Sequence, residues 1–288
     1  MNDERGPAPI PIVASIAPFA AGADAFVCDI WGVIHNGVAA YPRAIEACLK
    51  FRETGGIVVL LSNAPRPSKA VEIQLAGLGV SRTVYDAVVT SGDLTRRLIA
   101  EREGVSLFHL GPERDRGLFD GLDVSLVEAD AAQLIVCSGL FDDTREGPAD
   151  YRPRLSALAA RRLPMICANP DIVVERGDRL VYCAGALASL YEELGGNVIY
   201  AGKPHAPVYD MVCEIIASLK GRPVPRARML AIGDGIRTDI AGALGAGMRA
   251  VFVASAVHVE LPLHETKLAP LFEGLPGRPV AAMPALAW

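Results

Sequence analysis

Short, continuous apolar runs recur along the chain, and each is followed by polar or glycine residues. The runs are Phe26-Val27-Cys28, Ile57 to Leu61, Val198-Ile199-Tyr200, Met229 to Ile232 and Val251-Phe252-Val253. Runs of this length are typical of strands that are buried on both faces of a parallel sheet. The hydrophobic pattern therefore predicts a largely buried parallel sheet.

Helical periodicity fills most of the segments between these runs. Candidate helices lie at about residues 43–53, 68–78, 187–194, 206–219 and 239–246. Strands that alternate with helices are connected by right-handed crossovers, which gives a doubly wound α/β core. We therefore predict an α/β fold of this class.

The middle of the chain has a different character. From about Ser91 to Cys183 it is richer in Arg, Asp and Glu, and its strand candidates are shorter. This shift predicts a second, smaller α/β domain over residues 91–183. It would be inserted between a first core part, residues 1–90, and a second core part, residues 184–288.

Composition excludes several classes of protein. With 51% hydrophobic residues, a net charge of -5 and no basic runs, the chain does not suit sequence-independent nucleic-acid binding. None of its cysteines form a CxxC pair, which favours a reducing compartment. The apolar stretch after Ile10 contains Pro11 and Pro18 and is too short to span a bilayer. We therefore expect a cytoplasmic protein without a membrane contact.

Polar residues follow four of the predicted strands. They are Asp29, then Ser62 with Asn63, then Lys203, and finally Asp234 with Asp239. In open α/β sheets the carboxyl ends of the strands meet in one crevice, so we expect these side chains to lie together. Carboxylates bind Mg²⁺, an ammonium and backbone amides bind phosphate, and an aspartate can act as a nucleophile. The set predicts a magnesium-dependent phosphoryl site.

Four motifs in a fixed order contain these residues. They are residues 26–33 (FVCDIWGV), 61–66 (LSNAPR), 201–204 (AGKP) and 232–240 (IGDGIRTDI), with an insertion between the second and third. In this order they resemble the haloacid dehalogenase (HAD) superfamily, in particular class IIA, which includes NagD-type sugar phosphatases and pyridoxal phosphatases. The resemblance covers about residues 26–257 and implies a HAD-like core, with residues 91–183 forming a C2-type cap that selects substrate.

The resemblance also implies a role for each matching residue. Asp29 would be the nucleophile and a Mg²⁺ ligand, the main-chain carbonyl of Trp31 a second ligand, and Asp234 a third, supported by Asp239. The Ser62 hydroxyl and the backbone amide of Asn63 would bind the phosphoryl group, and Lys203 would neutralise it. Two further candidates for substrate binding are Arg66 and Asn169, the latter in a segment, residues 168–171 (ANPD), that is also similar to the family.

One position departs from the family pattern. Phosphatases of the family have a second aspartate two residues after the nucleophile, which protonates the leaving oxygen, and this chain has Trp31 there. An indole does not transfer protons, and general acid–base help is typically worth about 10²–10⁴-fold. His35, four residues later, is a candidate substitute because imidazole titrates near neutrality.

The sequence therefore predicts a Mg²⁺-dependent hydrolase of small phosphate esters, such as sugar phosphates, with Asp29 forming an aspartyl-phosphate. The alternative is a phosphometabolite-binding protein whose turnover is weak or lost because of Trp31. Cleavage of C–Cl or C–P bonds is disfavoured, because Asp234 and Asp239 indicate a metal and residues 91–183 contain no lysine. The expected partner is a small phosphorylated metabolite, and relatives of class IIA often form homodimers through their caps.

Overall fold

The structure is a computed structural model that describes residues 9–176, 179–254 and 262–288. The chain divides into two compact units. The first comprises Met1–Leu61, Leu75–Val88 and Val212–Trp288, and the second comprises Ser62–Gln74 and Val89–Met211. How these units correspond to the predicted core and cap, with boundaries at residues 90 and 183, stays a prediction.

Parallel strands dominate the described residues. In chain order they are β1 (Ala25–Asp29), β2 (Ile57–Ser62), β3 (Ala87–Thr90), β4 (Val105–Leu110), β5 (Val124–Leu126), β6 (Leu134–Cys137), β7 (Pro164–Cys167), β8 (Val173–Arg176), β9 (Arg179–Tyr182), β10 (Asn197–Tyr200), β11 (Met229–Gly233), β12 (Arg249–Val253) and β13 (Ala281–Met283). The strands β8 and β9 pair antiparallel.

Helices connect most of these strands. The α-helices are α1 (Ala17–Ala20), α2 (Pro42–Glu53), α3 (Ser68–Gly77), α4 (Ser91–Ala100), α5 (Arg152–Ala160), α6 (Ala184–Glu193), α7 (Ala206–Lys220), α8 (Ala241–Gly245) and α9 (Glu265–Leu271). Shorter 3₁₀ segments are Arg82–Val84, Glu113–Phe119, Pro148–Tyr151 and Arg226–Arg228, and Ile236–Ile240 forms a π-helical turn.

A six-stranded sheet carries the first sequence motif. Its strand order is β13-β12-β11-β1-β2-β3, so β1 lies between β11 and β2. Every residue of β1 and of β11 is buried, as the continuous apolar runs predicted. The predicted α/β fold with a parallel sheet is therefore confirmed.

The second unit contains a five-stranded parallel sheet in the order β10-β7-β6-β4-β5. The apolar pattern predicts that Val198–Tyr200 lies in one sheet with the strand of Asp29, and this prediction is wrong, because β10 pairs with β7. The physical reason is α6, whose residues Leu187 and Tyr191 pack in one apolar core with Met165 of β7. A helix that packs there returns the chain beside β7 through a short crossover.

All six cysteines are free thiols, and five of them are buried. No described helix combines the length and the apolar character that crossing a bilayer requires. The cysteines thus act as small apolar core residues, as a chain without disulfide pairs was expected to use them.

Candidate active site

Three aspartates meet in the first unit. Each of Asp29, Asp234 and Asp239 offers a carboxylate oxygen, and these atoms all lie within 4.8 Å of one another. All three residues are buried, with exposed fractions of 7%, 6% and 7%. The structure therefore brings together the three acidic residues that the sequence placed at strand ends.

Strand register explains why Asp29 and Asp234 coincide. In the parallel pair β1–β11, Cys28 lies opposite Ile232, so Asp29 lies at the level of Gly233 and Asp234 follows immediately. Because parallel neighbours end at the same edge of a sheet, residues that follow each strand share that edge. The two carboxylates are thus positioned by backbone pairing.

The π-helical turn brings in the third carboxylate. The Gly235 N–H donates a hydrogen bond to Asp239 Oδ2 at 3.0 Å. A Cβ atom added at Gly233 would lie 2.3 Å from the Cβ atom of Asp239, and one added at Gly235 would lie 2.8 Å from Asp239 Oδ2. The two glycines on either side of Asp234 therefore allow the turn to fold directly onto the strand end.

Gly32, which is not among the predicted site residues, packs against Asp234 from the other side. Its φ angle is +85°, and a Cβ atom added there would lie 2.2 Å from Asp234 Oδ2. Backbone thus packs directly against the carboxylate, which only a residue without a side chain permits. The glycine that follows Trp31 was the available signal.

We expect the Gly32→Ala substitution to lower the free energy of unfolding by about 1–3 kcal/mol more than Gly22→Ala. Both glycines have left-handed φ angles, +85° and +83°, so both substitutions carry backbone strain of about 1–2 kcal/mol. At Gly22, however, no described atom lies within 4 Å of the added Cβ. Urea unfolding without divalent cations measures the difference, and equal losses would contradict the close contact with Asp234.

The negative charge of the cluster contributes to the raised pKa values of two neighbouring side chains. The pKa of the Cys28 thiol is raised well above its usual value by a hydrogen bond with Cys48 and by burial, with smaller contributions from the charges of Asp29 and Asp239. Burial raises the pKa of Tyr41, and the charge of Asp234 adds to this effect. The cluster therefore acts as a local concentration of negative charge.

This arrangement fits a divalent cation. Buried carboxylates are costly unless they are paired or coordinate a metal, and three of them share one small space here. The donors are all hard oxygens, which Mg²⁺ prefers, and none is the sulfur or imidazole that softer metals select. The side chains of Asp29, Asp234 and Asp239 are thus suited to hold Mg²⁺.

The loop after β1 places Trp31 at the surface. The indole is 41% exposed, although Ile30 and Val33 are buried. It lies edge-on to the His35 ring with the centroids 5.4 Å apart, and a Cβ atom added at Gly37 would lie 2.3 Å from its Cη2 atom. The indole therefore packs against His35 and Gly37 while part of it faces solvent.

His35 is poorly suited to replace a proton donor. It is 2% exposed, and burial lowers its pKa below the usual 6.5. Its Nδ1 accepts a hydrogen bond from the Gly37 N–H at 2.9 Å, so the neutral ring carries its proton on Nε2. The imidazole then has neither an acidic proton nor an unused lone pair at neutral pH. The predicted role stays a prediction, and it requires the Gly37 bond to break.

The predicted phosphate-binding residues belong to the second unit. Ser62 ends β2, and its Oγ accepts a hydrogen bond from the Ala64 N–H at 3.2 Å. Lys203 is 3% exposed and is in direct contact with Asn63. The structure therefore brings Asn63 and Lys203 together, as the motifs implied.

The two remaining candidates make local hydrogen bonds in the same unit. The Arg66 guanidinium donates to Gln74 Oε1 at 2.9 Å, and Asn169 Oδ1 accepts from the Asp171 N–H at 3.1 Å. Asp171, which is not among the predicted site residues, accepts a hydrogen bond from the Asn63 side chain at 2.9 Å. Its place in the ANPD segment was the only signal for it.

Known proteins and family models match most of this chain. A family model for haloacid dehalogenase-like hydrolases matches residues 26–125, and a second, HAD-hydrolase-like model matches residues 200–272. The crystal structure of a haloacid dehalogenase-like hydrolase from Brucella suis 1330 is 46% identical and has a TM-score of 0.81. The match covers 85% of this chain and 94% of the Brucella chain.

More distant relatives carry names that refer to phosphatases. The ribonucleotide monophosphatase NagD of Escherichia coli K12 is 26% identical over 236 residues, which are 80% of this chain and 87% of the relative. The crystal structure of 4-nitrophenylphosphatase from Thermotoga maritima has 22% sequence identity to this chain and a TM-score of 0.70. The match covers 92% of this chain and 95% of the Thermotoga chain. The latter likeness concerns the fold alone.

Proposed function

Because this chain belongs to the haloacid dehalogenase-like hydrolase family, we propose that it hydrolyses small phosphate monoesters with Mg²⁺ at the three-aspartate cluster. The observation that carries the proposal is the convergence of Asp29, Asp234 and Asp239 within 4.8 Å at the ends of adjacent parallel strands. The name of the related ribonucleotide monophosphatase NagD supports the same reaction class.

In this proposal Mg²⁺ would be held by the side chains of Asp29 and Asp234 and by the main-chain carbonyl of Trp31, with Asp239 supporting them. When bound, the ion neutralises negative charge on the phosphoryl oxygens. The same charge neutralisation lets a carboxylate approach an anionic substrate. We propose that Lys203 and Ser62 bind the phosphoryl group, as the family resemblance implies.

Asp29 would act as the nucleophile. Its carboxylate oxygen attacks phosphorus, an O–P bond forms, and the bond from phosphorus to the substrate oxygen breaks, which releases an alcohol or its anion. Water then attacks the aspartyl-phosphate, which restores the Asp29 carboxylate and releases inorganic phosphate. The leaving oxygen must obtain a proton from water, since the indole of Trp31 supplies none.

Phosphate release from a panel of phosphomonoesters tests the proposal. The panel contains p-nitrophenyl phosphate, sugar phosphates and nucleoside monophosphates, each with and without Mg²⁺. We expect Mg²⁺-dependent release by the wild-type protein and none above background by Asp29→Asn, which keeps the size of the side chain and removes its nucleophilic charge. Equal release by the two proteins, or none by either, would overturn the proposal.

A second candidate function is binding of a phosphorylated metabolite without turnover. The observation in its favour is that neither Trp31 nor His35 provides an acid at neutral pH. The His35 Nδ1 accepts a hydrogen bond from Gly37, and burial lowers the pKa of its ring. Calorimetric titration of the panel compounds distinguishes the two functions. Saturable binding without phosphate release would support this candidate, whereas multiple turnovers would exclude it.

A further inference from the structure

The Asn63 side chain holds the backbone of Lys203 within the second unit. Its Oδ1 accepts from the Lys203 N–H at 2.8 Å, and its Nδ2 donates to the Lys203 carbonyl oxygen at 3.0 Å. One side-chain amide thus binds both peptide groups of a single residue 140 positions later in the chain. Neighbouring antiparallel strands exchange paired bonds of the same kind.

Two further side chains fix the orientation of this amide. Nδ2 also donates to Asp171 Oδ1 at 2.9 Å, and Oδ1 also accepts from Ser91 Oγ at 3.3 Å. An amide has two N–H donors and two oxygen lone pairs, and all four are used. Rotating the amide by 180° would place its oxygen against the Lys203 carbonyl and the Asp171 carboxylate. The side chain therefore has one favourable orientation.

The backbone before Lys203 passes unusually close to this network. A Cβ atom added at Gly202 would lie 2.1 Å from Ser91 Oγ and 2.5 Å from Asn63 Oδ1. Only glycine permits this approach, so the segment is placed against Asn63 by close contact as well as by hydrogen bonds. The position of the Lys203 backbone is thus determined on several sides.

We propose that Asn63, oriented by Asp171, is a positioning residue that directs the Lys203 side chain toward a bound phosphoryl group. The inference rests on the proposed function, in which Lys203 neutralises that group. Lysine has a flexible four-carbon side chain, so an ammonium placed for catalysis needs a fixed backbone. Lys203 is 3% exposed, and its burial likewise requires a defined position.

The test begins with Asn63→Asp, which keeps the size of the side chain and replaces the Nδ2 donor by an acceptor. The bonds to the Lys203 carbonyl and to Asp171 are then lost, and acceptor oxygens face one another. We expect kcat/KM for p-nitrophenyl phosphate to fall at least tenfold, because a misplacement of about 1 Å can cost about 10²-fold. The inhibition constant of inorganic phosphate is expected to rise as well.

A double variant separates positioning from general stability. When Asn63→Asp is combined with Asp171→Asn, the amide introduced at position 171 can donate to the carboxylate introduced at position 63, which restores a bond between the two positions. The Lys203 carbonyl still has no donor from position 63. We therefore expect the thermal midpoint to recover toward the wild-type value, while kcat/KM stays at the level of the single variant. Recovery of kcat/KM together with the thermal midpoint would overturn the proposal.

Asn197→Asp is the matched control. It makes the same chemical change at an exposed residue at the start of β10, the strand that leads to Lys203. We expect wild-type kcat/KM and phosphate inhibition from this variant. A wild-type kcat/KM in Asn63→Asp would overturn the positioning role, since phosphate release would then continue without the Asn63 donor.

Failure of the proposed function is recognised separately. If the wild-type protein releases no phosphate, calorimetric titration with inorganic phosphate replaces the kinetic readout. Weaker phosphate binding by Asn63→Asp and by the double variant, with Asn197→Asp unchanged, would support positioning for binding alone. Equal affinities, or no binding by any of the proteins, would overturn the proposal.

Discussion

Replacing Trp31 by aspartate is expected to raise kcat/KM for alkyl phosphates by about 10²–10⁴-fold, the usual contribution of a general acid. The variant places a carboxyl group two residues after Asp29, where phosphatases of the family have one. That group can protonate the leaving oxygen and then take a proton from the attacking water. Phosphate release from glucose 6-phosphate by the variant and the wild type measures the effect.

The leaving group provides an internal check of this explanation. p-Nitrophenolate is a weak base and departs without a proton, whereas an alkoxide is a strong base and departs slowly. We therefore expect Trp31→Asp to accelerate p-nitrophenyl phosphate far less than glucose 6-phosphate. A similar acceleration of both substrates would point to a change in access or binding instead of proton transfer.

Trp31→Asn is the matched control, because asparagine has nearly the shape of aspartate but no acidic proton. Both substitutions remove the exposed indole from its contacts with His35 and Gly37, so both share any effect of that loss. Equal kcat/KM values for the two variants would show that Trp31 does not stand in the place of a missing acid.

The parts of the site that the sequence predicts are those that depend on parallel strand ends. Asp29 and Asp234 follow continuous apolar runs, and such runs become adjacent buried strands whose carboxyl ends coincide. Nothing more than the order of runs and polar residues is needed to bring these two carboxylates together. The position of Asp239 near them is also predictable, because it lies only a few residues after Asp234 in the chain.

Other parts depend on packing that hydrophobic patterns do not record. The run before Lys203 has the same apolar character as the run before Asp29, yet it joins the other sheet because α6 packs against β7. Asn63 was selected for its backbone amide, and the hydrogen bonds of its side chain with Lys203, Asp171 and Ser91 were not predicted. Two of these partners lie more than a hundred positions from Asn63, and such hydrogen bonds cannot be read from a motif.

Mg²⁺ is expected to raise the thermal midpoint of the wild-type protein and to have no such effect on Asp234→Asn. A ligand that binds only the folded state adds about 2.7 kcal/mol of stability at one hundred times its Kd. The Asp234→Asn variant keeps the size of the side chain but removes one of the three charges on which this affinity depends. Calorimetric scans with and without Mg²⁺, at a concentration set by titration, give both values.

The same variant is expected to be more stable than the wild type when Mg²⁺ is absent. Two unit charges 4 Å apart repel by about 4 kcal/mol at an effective dielectric constant of 20, so even a screened fraction of this repulsion is measurable. Asparagine at position 234 removes the repulsion with both Asp29 and Asp239. The substitution should therefore raise the midpoint without Mg²⁺ and abolish its increase with Mg²⁺.

Asp24→Asn is the control for the loss of a buried charge. Asp24 is 8% exposed in the same unit, and its carboxylate pairs with Arg228, whose hydrogen bond is the main reason that the pKa of Asp24 is lowered. Removing this charge should destabilise the protein at neutral pH and leave the Mg²⁺-dependent increase intact. If Asp234→Asn also destabilised the protein and kept the increase, Asp234 would be an ordinary buried carboxylate and the proposed metal site would be wrong.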